Sequence, residues 1–233
     1  MWNDQEKNLV RCSDCKVKSA AAETLNPHEL DVLTRNCAEL TLASGEYVIR
    51  QGTLSSHIAY IKKGLVKVHM TGPSGKDQIL KISRPGVYIG IQTVLFDKVH
   101  RYSATALTES VLCYIDIDFF RSLIQKNPGF ANEIIRFLCT DELAYFERFA
   151  NQLQKQLNGR LADALLYFSE MSEDPLTIEL PVTKTDLAGL IGVSRESVSR
   201  ALRELADTGV IRMNGRQIGI LNMELLGKIS KKG

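Results

Sequence analysis

The sequence lacks several features that would indicate whole classes of protein. Its 233 residues contain no apolar run long enough to cross a bilayer, and the polar first residues lack the apolar core of a signal peptide. We therefore expect a cytoplasmic location without a membrane partner. The chain has five cysteines, an odd number, which in a cytoplasmic protein argues against a disulfide framework. No catalytic Ser/His/Asp order, phosphate loop or zinc-helix motif is visible. An enzyme is therefore not expected.

What is present is the composition of an ordinary globular chain. Hydrophobic residues make up 44% and charged residues 24%, and 29 Lys+Arg stand against 27 Asp+Glu, for a net charge of +2. The length suits one large domain or two small ones. So small a net charge excludes a uniformly basic coat for nucleic acid but allows a local basic face.

The first half of the chain changes texture twice. Residues 1–24 are predicted to be a loose leader that holds Cys12 and Cys15, and Asn26-Pro27 begins a short helix. Within 25–128, short β-favouring runs alternate with glycine, which predicts a sandwich or barrel. The predicted strands are 47–49, 58–61, 65–68, 79–82, 87–89 and 111–117, and residues 72–75 form a hairpin turn between two of them.

Residues 129–158 predict one long helix, because glycine and proline disappear from about 130 onwards. Six apolar residues follow each other there at spacings of four and three, which is the pattern of a heptad seam: Cys139, Leu143, Phe146, Ala150, Leu153 and Leu157. The helix packs either on its own barrel or on a second copy of the chain. We favour the dimer, because other apolar residues of the helix, such as Ile134 and Tyr145, are left for the barrel side. Asn158-Gly159 then ends the helix as a hinge.

The segment 183–208 predicts a helix-turn-helix. Thr183 with Asp186 resembles a capping box, Gly192 makes a tight turn, and Ser194 caps the second helix. In that helix Val198, Ala201, Leu202 and Leu205 share one face, which we expect to be buried. Residues 211–220 add a β-hairpin around Asn214-Gly215, which makes the module a winged one.

The opposite face of the second helix carries the side chains expected to bind DNA: Arg195, Glu196, Ser199 and Arg200. An arginine fork pairs with O6 and N7 of guanine, a glutamate accepts from cytosine N4, and a serine does either. Residues 182–233 contain nine Lys or Arg and five Asp or Glu, so the positive charge lies where phosphates would be contacted. Double-stranded DNA is the predicted partner.

At this point the chain resembles the CRP/FNR family of transcriptional regulators, over nearly its whole length and most specifically in Ile191–Arg200. The resemblance implies an α+β fold: an N-terminal double-stranded β-helix (a jelly-roll of the cyclic-nucleotide-binding kind) over 25–128, a dimerisation helix over 129–158 and a winged helix-turn-helix over 159–233. The family's base-reading motif corresponds to Glu196 and Arg200. The resemblance further implies a homodimer on an inverted repeat, with RNA polymerase as a partner.

The effector site departs from the family pattern. Gly90 and Arg101 match the glycine and phosphate-binding arginine of the cyclic-nucleotide members, but Ile91 and Tyr102 replace the ribose-binding glutamate and the serine. Tyr145 and Phe146 stand where the cyclic-AMP receptor has hydroxyl residues that contact the base. Without the carboxylate the ribose 2′-hydroxyl loses its acceptor, so cyclic AMP is not expected to bind in the usual manner. Arg101 pairs either with another anion or with a surface carboxylate.

A metal cofactor is left open by the sequence. Cys12, Cys15 and Cys113 resemble three iron–sulfur ligands of the FNR branch, but Ala21 stands at the expected third position and a cluster needs four thiolates. Three interpretations remain, in order: structural cysteines, a thiol or metal sensor, and an oxygen-labile cluster. Haem is a further possibility, with His57, His69 and His100 as candidate ligands, although none belongs to a recognisable motif.

Two functions of different classes compete at this stage. The first is a sequence-specific DNA-binding regulator, switched by an effector or redox signal in the β-roll. The second is a sensor module that controls a protein partner through its C-terminal helices. The arginines near residue 200 favour the first function, because docking to a protein gives no reason to place guanine-reading side chains there.

Overall fold

The computed structural model describes residues 11–72, 75 and 77–233, with the side chain of Val94 also left out. The chain divides into two compact units: Met1–Thr71 with Leu80–Thr140, and Gly72–Ile79 with Asp141–Gly233. Part of the predicted leader and part of the predicted 72–75 turn lie outside the described residues. Of the helices in the described part of the chain, none is both long and apolar enough to cross a membrane.

The described part of the leader is packed, so the expectation of a loose segment is wrong there. A single 3-10 turn at Cys12–Asp14 is followed by α1 (Ala20–Glu23), which Ser19 caps. Ala21 and Ala22 are buried in the core, and the Ser19 hydroxyl is 2.6 Å from that of Tyr88. Small alanine side chains let this short helix lie close against the sheet.

Helix α2 (Pro27–Arg35) starts as predicted. The Asn26 side chain accepts from the Glu29 amide while the Glu29 carboxylate accepts from the Asn26 amide, both at 2.9 Å, so that each satisfies an otherwise unpaired donor. Leu30 and Leu33 are buried beneath the helix.

Eight strands form the β-roll, with a short helix α3 (Ile91–Phe96) inserted between β6 and β7. The strands are β1 (Cys37–Leu42), β2 (Tyr47–Ile49), β3 (His57–Lys63), β4 (Val66–Thr71), β5 (Asp77–Ser83), β6 (Tyr88–Ile89), β7 (Ser103–Ala106) and β8 (Ser110–Asp116). They make two four-stranded sheets in the orders β1-β8-β3-β6 and β2-β7-β4-β5. The α+β fold with an N-terminal β-roll is thus confirmed.

Strand β3 of the first sheet is buried on both faces. Ala59 and Ile61 of β3 point between the two sheets, where they meet residues such as Val66 and Ala104 of the other sheet. The alternate residues of β3, Ile58 and Tyr60, point outwards to a second core made with the helices. Side chains that alternate along a strand explain the two cores.

Two helices complete the outer core of the first unit. Helix α4 (Ile117–Lys126) is capped by the Asp116 carboxylate, and α5 (Pro128–Gln154) follows almost at once. Phe120 of α4 packs edge-to-face on Phe130 of α5, with ring centroids 5.3 Å apart. Of the two residues named above for the barrel side, Ile134 is buried, whereas Tyr145 is exposed.

The second unit contains the predicted winged module. It comprises α6 (Leu157–Glu170), β9 (Thr177–Glu179), α7 (Lys184–Ile191), α8 (Arg195–Asp207), β10 (Ile211–Asn214), β11 (Gln217–Ile220) and α9 (Met223–Lys232). The three strands pair antiparallel in the order β10-β11-β9. Leu161, Leu165 and Phe168 of α6 are buried in the core of this unit.

The predicted hinge at Asn158-Gly159 is wrong. Helix α5 ends at Gln154, Gln156 is the N-cap of α6, and both Asn158 and Gly159 lie inside the first turn of α6. A Cβ atom on Gly159 would come within 2.6 Å of the Gly233 Cα atom. A glycine is needed here because the backbone of Gly233 approaches closely, and this packing explains the glycine without a flexible hinge. Leu157, predicted as the last residue of the seam, consequently belongs to α6.

Candidate nucleic-acid interface and sensor residues

The turn between α7 and α8 is built by three local devices, all of them predicted. Thr183 and Asp186 form the capping box of α7, with the Thr183 hydroxyl accepting from the Asp186 amide at 3.0 Å. Gly192 ends α7 in the left-handed conformation (φ 69°, ψ 45°), which strains any residue with a Cβ. The Ser194 hydroxyl then accepts from the Ser197 amide at 3.1 Å and caps α8.

Helix α8 has two contrasting faces. Val198, Ala201, Leu202 and Leu205 are buried against the rest of the unit, as their spacing predicts. Arg195, Glu196 and Arg200 are exposed, and Ser199 is half-buried. No described residue forms an ion pair or hydrogen bond with the guanidinium of Arg195 or Arg200. Both guanidinium groups therefore keep their donors for a partner.

The start of α8 suits an anionic partner. A helix N-terminus carries partial positive charge and unpaired amide donors, and here the exposed Arg195 adds a full charge in the first turn. The wing supplies Arg212 on β10, which is also exposed. DNA phosphates are the natural ligand for such a surface.

The wing differs from the prediction in one position. Asn214 pairs with Gln217, so the central residues of the turn are Gly215 and Arg216, one residue later than predicted. Gly215 takes a positive φ of 62°. The Arg216 guanidinium donates to the Leu180 carbonyl oxygen at 3.1 Å, which holds the tip of the wing onto the segment after β9.

In the sensor, the matched effector positions are occupied by the protein's own contacts. The Tyr102 hydroxyl accepts from the Gly90 amide at 3.0 Å and donates to Gln92 Oε1 at 3.1 Å. Ile91, where a ribose-binding carboxylate would stand, has 0% of its surface exposed and belongs to the outer core. A carboxylate at this position would have to be buried.

Arg101 lies on the surface in an ion pair. Its Nε atom donates to Oδ2 of Asp97, four residues earlier in the chain, at 2.9 Å, and its side chain is mostly exposed. The guanidinium keeps the pKa of the Asp97 carboxyl below its usual value. Of the two roles predicted for Arg101, the structure shows the surface ion pair.

Tyr145 and Phe146, the two aromatic residues predicted near the effector, are both exposed on α5. The Arg148 guanidinium lies over the Tyr145 ring, 5.9 Å from its centroid. The aromatic side chains are thus part of a larger exposed apolar surface of α5, which also includes Leu143 and Leu153.

A cavity of about 270 Å³ opens in the first unit beside β2. Tyr47, Arg50, His57, His100 and Tyr114 are among its lining residues, and burial lowers the pKa of His100. The third histidine considered for haem, His69, lies apart from this lining and binds the Thr105 hydroxyl at 2.9 Å. The volume is just below the roughly 300–1,000 Å³ of typical small-molecule sites.

Three cysteines, Cys12, Cys37 and Cys113, pack against one core of the first unit. Cys12 Sγ is 3.8 Å from Cys37 Sγ, and the register of β1 and β8 makes Cys113 a diagonal neighbour of Cys37. The neighbouring Cys37 thiol lowers the pKa of Cys12 to about 6 and lowers the pKa of Cys113, while the pKa of Cys37 itself is raised. Cys37, which was not among the predicted metal ligands, begins β1.

The cysteines do not fit an iron–sulfur cluster as they are arranged. A cluster needs four thiolates around it, whereas the sulfurs of Cys12 and Cys37 are in mutual contact and Ala21, at the expected third position, is buried in the core. Among the described residues, no group of three or more Cys, His, Asp or Glu side chains has an arrangement that could hold a metal ion. The predicted metal role of Cys12, Cys15 and Cys113 receives no support from this geometry.

Comparison with known families assigns the two units separately. The family described as "Cyclic nucleotide-binding domain" matches residues 39–127, and the "Crp-like helix-turn-helix domain" matches residues 159–229. A β-roll and a winged helix-turn-helix in one chain define a class of DNA-binding transcriptional regulators.

Curated relatives and solved structures agree with this class. The chain is 27% identical over 234 residues to the fumarate and nitrate reduction regulatory protein of Vibrio cholerae, covering 96% of this chain and 92% of that protein. It is 26% identical over 208 residues to the CRP-like cAMP-activated global transcriptional regulator of Mycobacterium tuberculosis, covering 88% and 93%.

Among solved structures, FixK2 from Bradyrhizobium japonicum superposes with a TM-score of 0.75 at 20% identity, covering 83% of this chain and 96% of that one. A CRP/FNR-family regulator from Eubacterium rectale superposes with a TM-score of 0.76 at 16% identity, covering 90% and 96%. These two likenesses show the fold. The chain belongs to the CRP/FNR family of transcriptional regulators and carries the family's DNA-binding helix-turn-helix.

Proposed function

We propose that the protein acts as a homodimer on an inverted-repeat operator, with Arg195, Glu196, Ser199 and Arg200 of α8 reading the bases. The observation that carries this proposal is the contrast between the faces of α8. One face is buried in the core, and the other presents two guanidinium groups without partners among the described residues. RNA polymerase enters as a partner because the family implies it.

The proposed dimer contact is the apolar stripe of α5: Cys139, Leu143, Phe146, Ala150 and Leu153. All five residues are exposed in the single chain, with Leu143, Phe146 and Leu153 exposed by 62%, 57% and 72%. Single exposed apolar residues are common, but a stripe at heptad spacing is typical of a helix that pairs with another. A second copy of α5 offers the same stripe, as a two-fold contact requires.

Two-fold symmetry then determines the form of the operator. Two copies of α8 enter successive major grooves when they are separated by one helical turn of DNA, about 34–36 Å. Each half-site contains a guanine that the Arg200 fork contacts through O6 and N7. An inverted repeat follows, because each protomer reads the same bases.

The effector in this proposal is a signal other than cyclic AMP bound through its ribose and phosphate. Three observations support this: Ile91 is buried, the Gly90 amide donates to the Tyr102 hydroxyl, and Arg101 forms an ion pair with Asp97. Whatever the effector is, it activates only if it binds the DNA-competent dimer more tightly than the incompetent one.

Competition binding at a defined salt concentration tests the base-reading role. For Arg200→Ala, we expect the discrimination between operator and altered half-site to fall by about 1–3 kcal/mol, the usual worth of a bidentate base contact. Arg200→Lys is the matched control, because it keeps the charge but lacks the fork. It should lose discrimination while retaining the salt dependence of the wild type.

Arg203→Ala supplies the contrasting variant on the same helix. Arg203 is exposed but lies outside the predicted reading set, so its loss should weaken all sequences alike and lower the salt slope by about one. If Arg200→Ala behaves in the same way as Arg203→Ala, Arg200 contacts phosphate only and the base-reading proposal is wrong. Absence of specific binding by the wild type would favour a protein-docking module instead.

A further inference from the structure

Three thiols meet at one edge of the outer core of the β-roll. Cys12 precedes α1, Cys37 begins β1 and Cys113 lies in β8, and all three pack half-buried against the same core. The Cys12 and Cys37 sulfurs are 3.8 Å apart, which is van der Waals contact. Neither the DNA-binding face nor the matched effector positions use these residues.

Strand register brings Cys37 and Cys113 together. Cys37 pairs with Ile115 and Glu39 pairs with Cys113 across β1 and β8, so the two cysteines are diagonal neighbours on one face of the sheet. Cys12 reaches the same place from the leader, where its amide donates to the Thr34 hydroxyl at 3.0 Å. Thr34 in turn offers its carbonyl oxygen to the Cys37 thiol at 3.7 Å.

The surroundings favour a reactive thiol at Cys12. Lys62, which is paired with Glu39, lies close enough to stabilise a thiolate at Cys12 or Cys113, and the Cys37 sulfur is in contact with the Cys12 sulfur. A nearby cation favours the thiolate, and the thiolate is the nucleophilic form of cysteine. Half-burial leaves Cys12 accessible to a small oxidant.

We propose that Cys12 and Cys37 are a redox-active pair that forms an intramolecular disulfide when the protein meets a peroxide. The Cys12 thiolate attacks one peroxide oxygen, the O–O bond breaks, and the departing hydroxide takes a proton to become water. Cys12 is then a sulfenic acid. The Cys37 sulfur gives up its proton and attacks the Cys12 sulfur, the S–O bond breaks, and a second water leaves. Two thiols are thereby oxidised and one peroxide is reduced.

Cys37 is the resolving residue by position. The Cys12 sulfur has to move from 3.8 Å to the disulfide bond length of about 2.05 Å, a small shift for a residue that precedes the first helix. Cys15 forms no hydrogen bond to another thiol among the described residues, although it is only three residues from Cys12. The pairing therefore follows the contact between sulfurs, and sequence proximity is a poor guide to it.

The test uses the full chain, purified under reduction and then exposed to hydrogen peroxide. Intact mass and peptide mapping should show the loss of two hydrogens and a cross-link between the Cys12 and Cys37 peptides, reversed by a dithiol. Cys12→Ser should abolish the cross-link. Cys37→Ser should leave Cys12 as a sulfenic acid that a dimedone probe captures. Cys15→Ser is the matched control that should still form the cross-link.

The contrary results are equally definite. A main product that links Cys12 to Cys15 or Cys37 to Cys113, or no cross-link while Cys12 stays unmodified, would overturn the assignment. Circular dichroism of each serine variant separates a failure to fold from a failure to react. The proposal does not depend on DNA binding, so it stands or falls separately from the base-reading role.

Discussion

The winged module and the β-roll keep the same family framework but treat their ligand-facing positions differently. On α8 three of the four predicted reading residues are exposed, and Arg195 and Arg200 are unpaired among the described residues. In the roll, the matched positions have turned inwards or to neighbours: Ile91 joins the core, and Tyr102 binds the Gly90 amide. The positions matched to ligand contacts are therefore open to solvent on α8 and engaged by the protein's own residues in the roll.

This comparison suggests a rule: the exposure of a side chain indicates whether it can contact a ligand from outside the protein. A side chain kept for an outside partner stays in water, where its donors cost nothing while unbound. A side chain that packs in the core or bonds the nearby backbone already has its partners inside the protein. The predictions below exploit this difference, from the largest expected effect to the smallest.

Restoring the family carboxylate in the roll should be the most damaging change. We expect Ile91→Glu to lower the free energy of unfolding by at least about 3 kcal/mol, because Ile91 is fully buried and an unpaired carboxylate is costly there. Urea denaturation measures the change. The neighbouring Gln92→Glu adds the same charge at an exposed position and should cost little. A stable Ile91→Glu protein that binds cyclic AMP would show that the site is merely dormant.

On α5, a charge in the apolar stripe should break the dimer but spare the protomer. Leu153→Glu removes an exposed leucine from the proposed contact, at a cost of about 2 kcal/mol, or roughly 30-fold in the dissociation constant. Sedimentation equilibrium and operator binding should weaken together. Tyr145→Glu, off the stripe on the same helix, is the control. Unchanged sedimentation of Leu153→Glu would argue against this stripe as the dimer contact.

Two hydroxyl deletions compare the regions directly. Ser194→Ala removes the cap of α8 and should cost about 1 kcal/mol of stability. Tyr102→Phe removes the bond to the Gly90 amide and should cost about 0.5–1.5 kcal/mol. Under conditions in which both variants are fully folded, the affinity for the operator should fall for Ser194→Ala and stay unchanged for Tyr102→Phe. An equal loss of operator affinity in both variants would mean that the Tyr102 hydroxyl also controls DNA binding.

Cyclic AMP itself should have the smallest effect. With Ile91 buried and Arg101 paired to Asp97, addition of the nucleotide should leave the operator affinity unchanged within error. Fluorescence anisotropy with labelled operator measures this, with a non-operator duplex as the reference. Tightening of the operator complex by cyclic AMP would contradict the proposed effector class.

Local patterns predicted the winged module almost completely. Thr183, Gly192 and Ser194 act through hydrogen bonds and dihedral angles that span only three or four residues, so their roles can be seen in the sequence. The spacing of Val198, Ala201, Leu202 and Leu205 predicted the buried face of α8 for the same reason. The wing turn was displaced by one residue, and the last helix, α9, was not predicted.

Longer-range features could not be predicted in this way. Strands β1 and β7 were missed, because Cys37–Leu42 and Ser103–Ala106 contain few β-branched residues in a row and gain their order from neighbouring strands. Gly159 was misread as a hinge, since the backbone that approaches it belongs to residue 233.

The sequence by itself determined that α8 would bury one side and present arginines on the other, because a helix repeats every 3.6 residues whatever surrounds it. Only the tertiary structure decided that Cys12 would meet Cys37, 25 positions further along the chain, and that Ile91 would become core. Both outcomes depend on which strands pair and in which register. That choice is made by the packing of the whole sheet and is absent from any short stretch of residues.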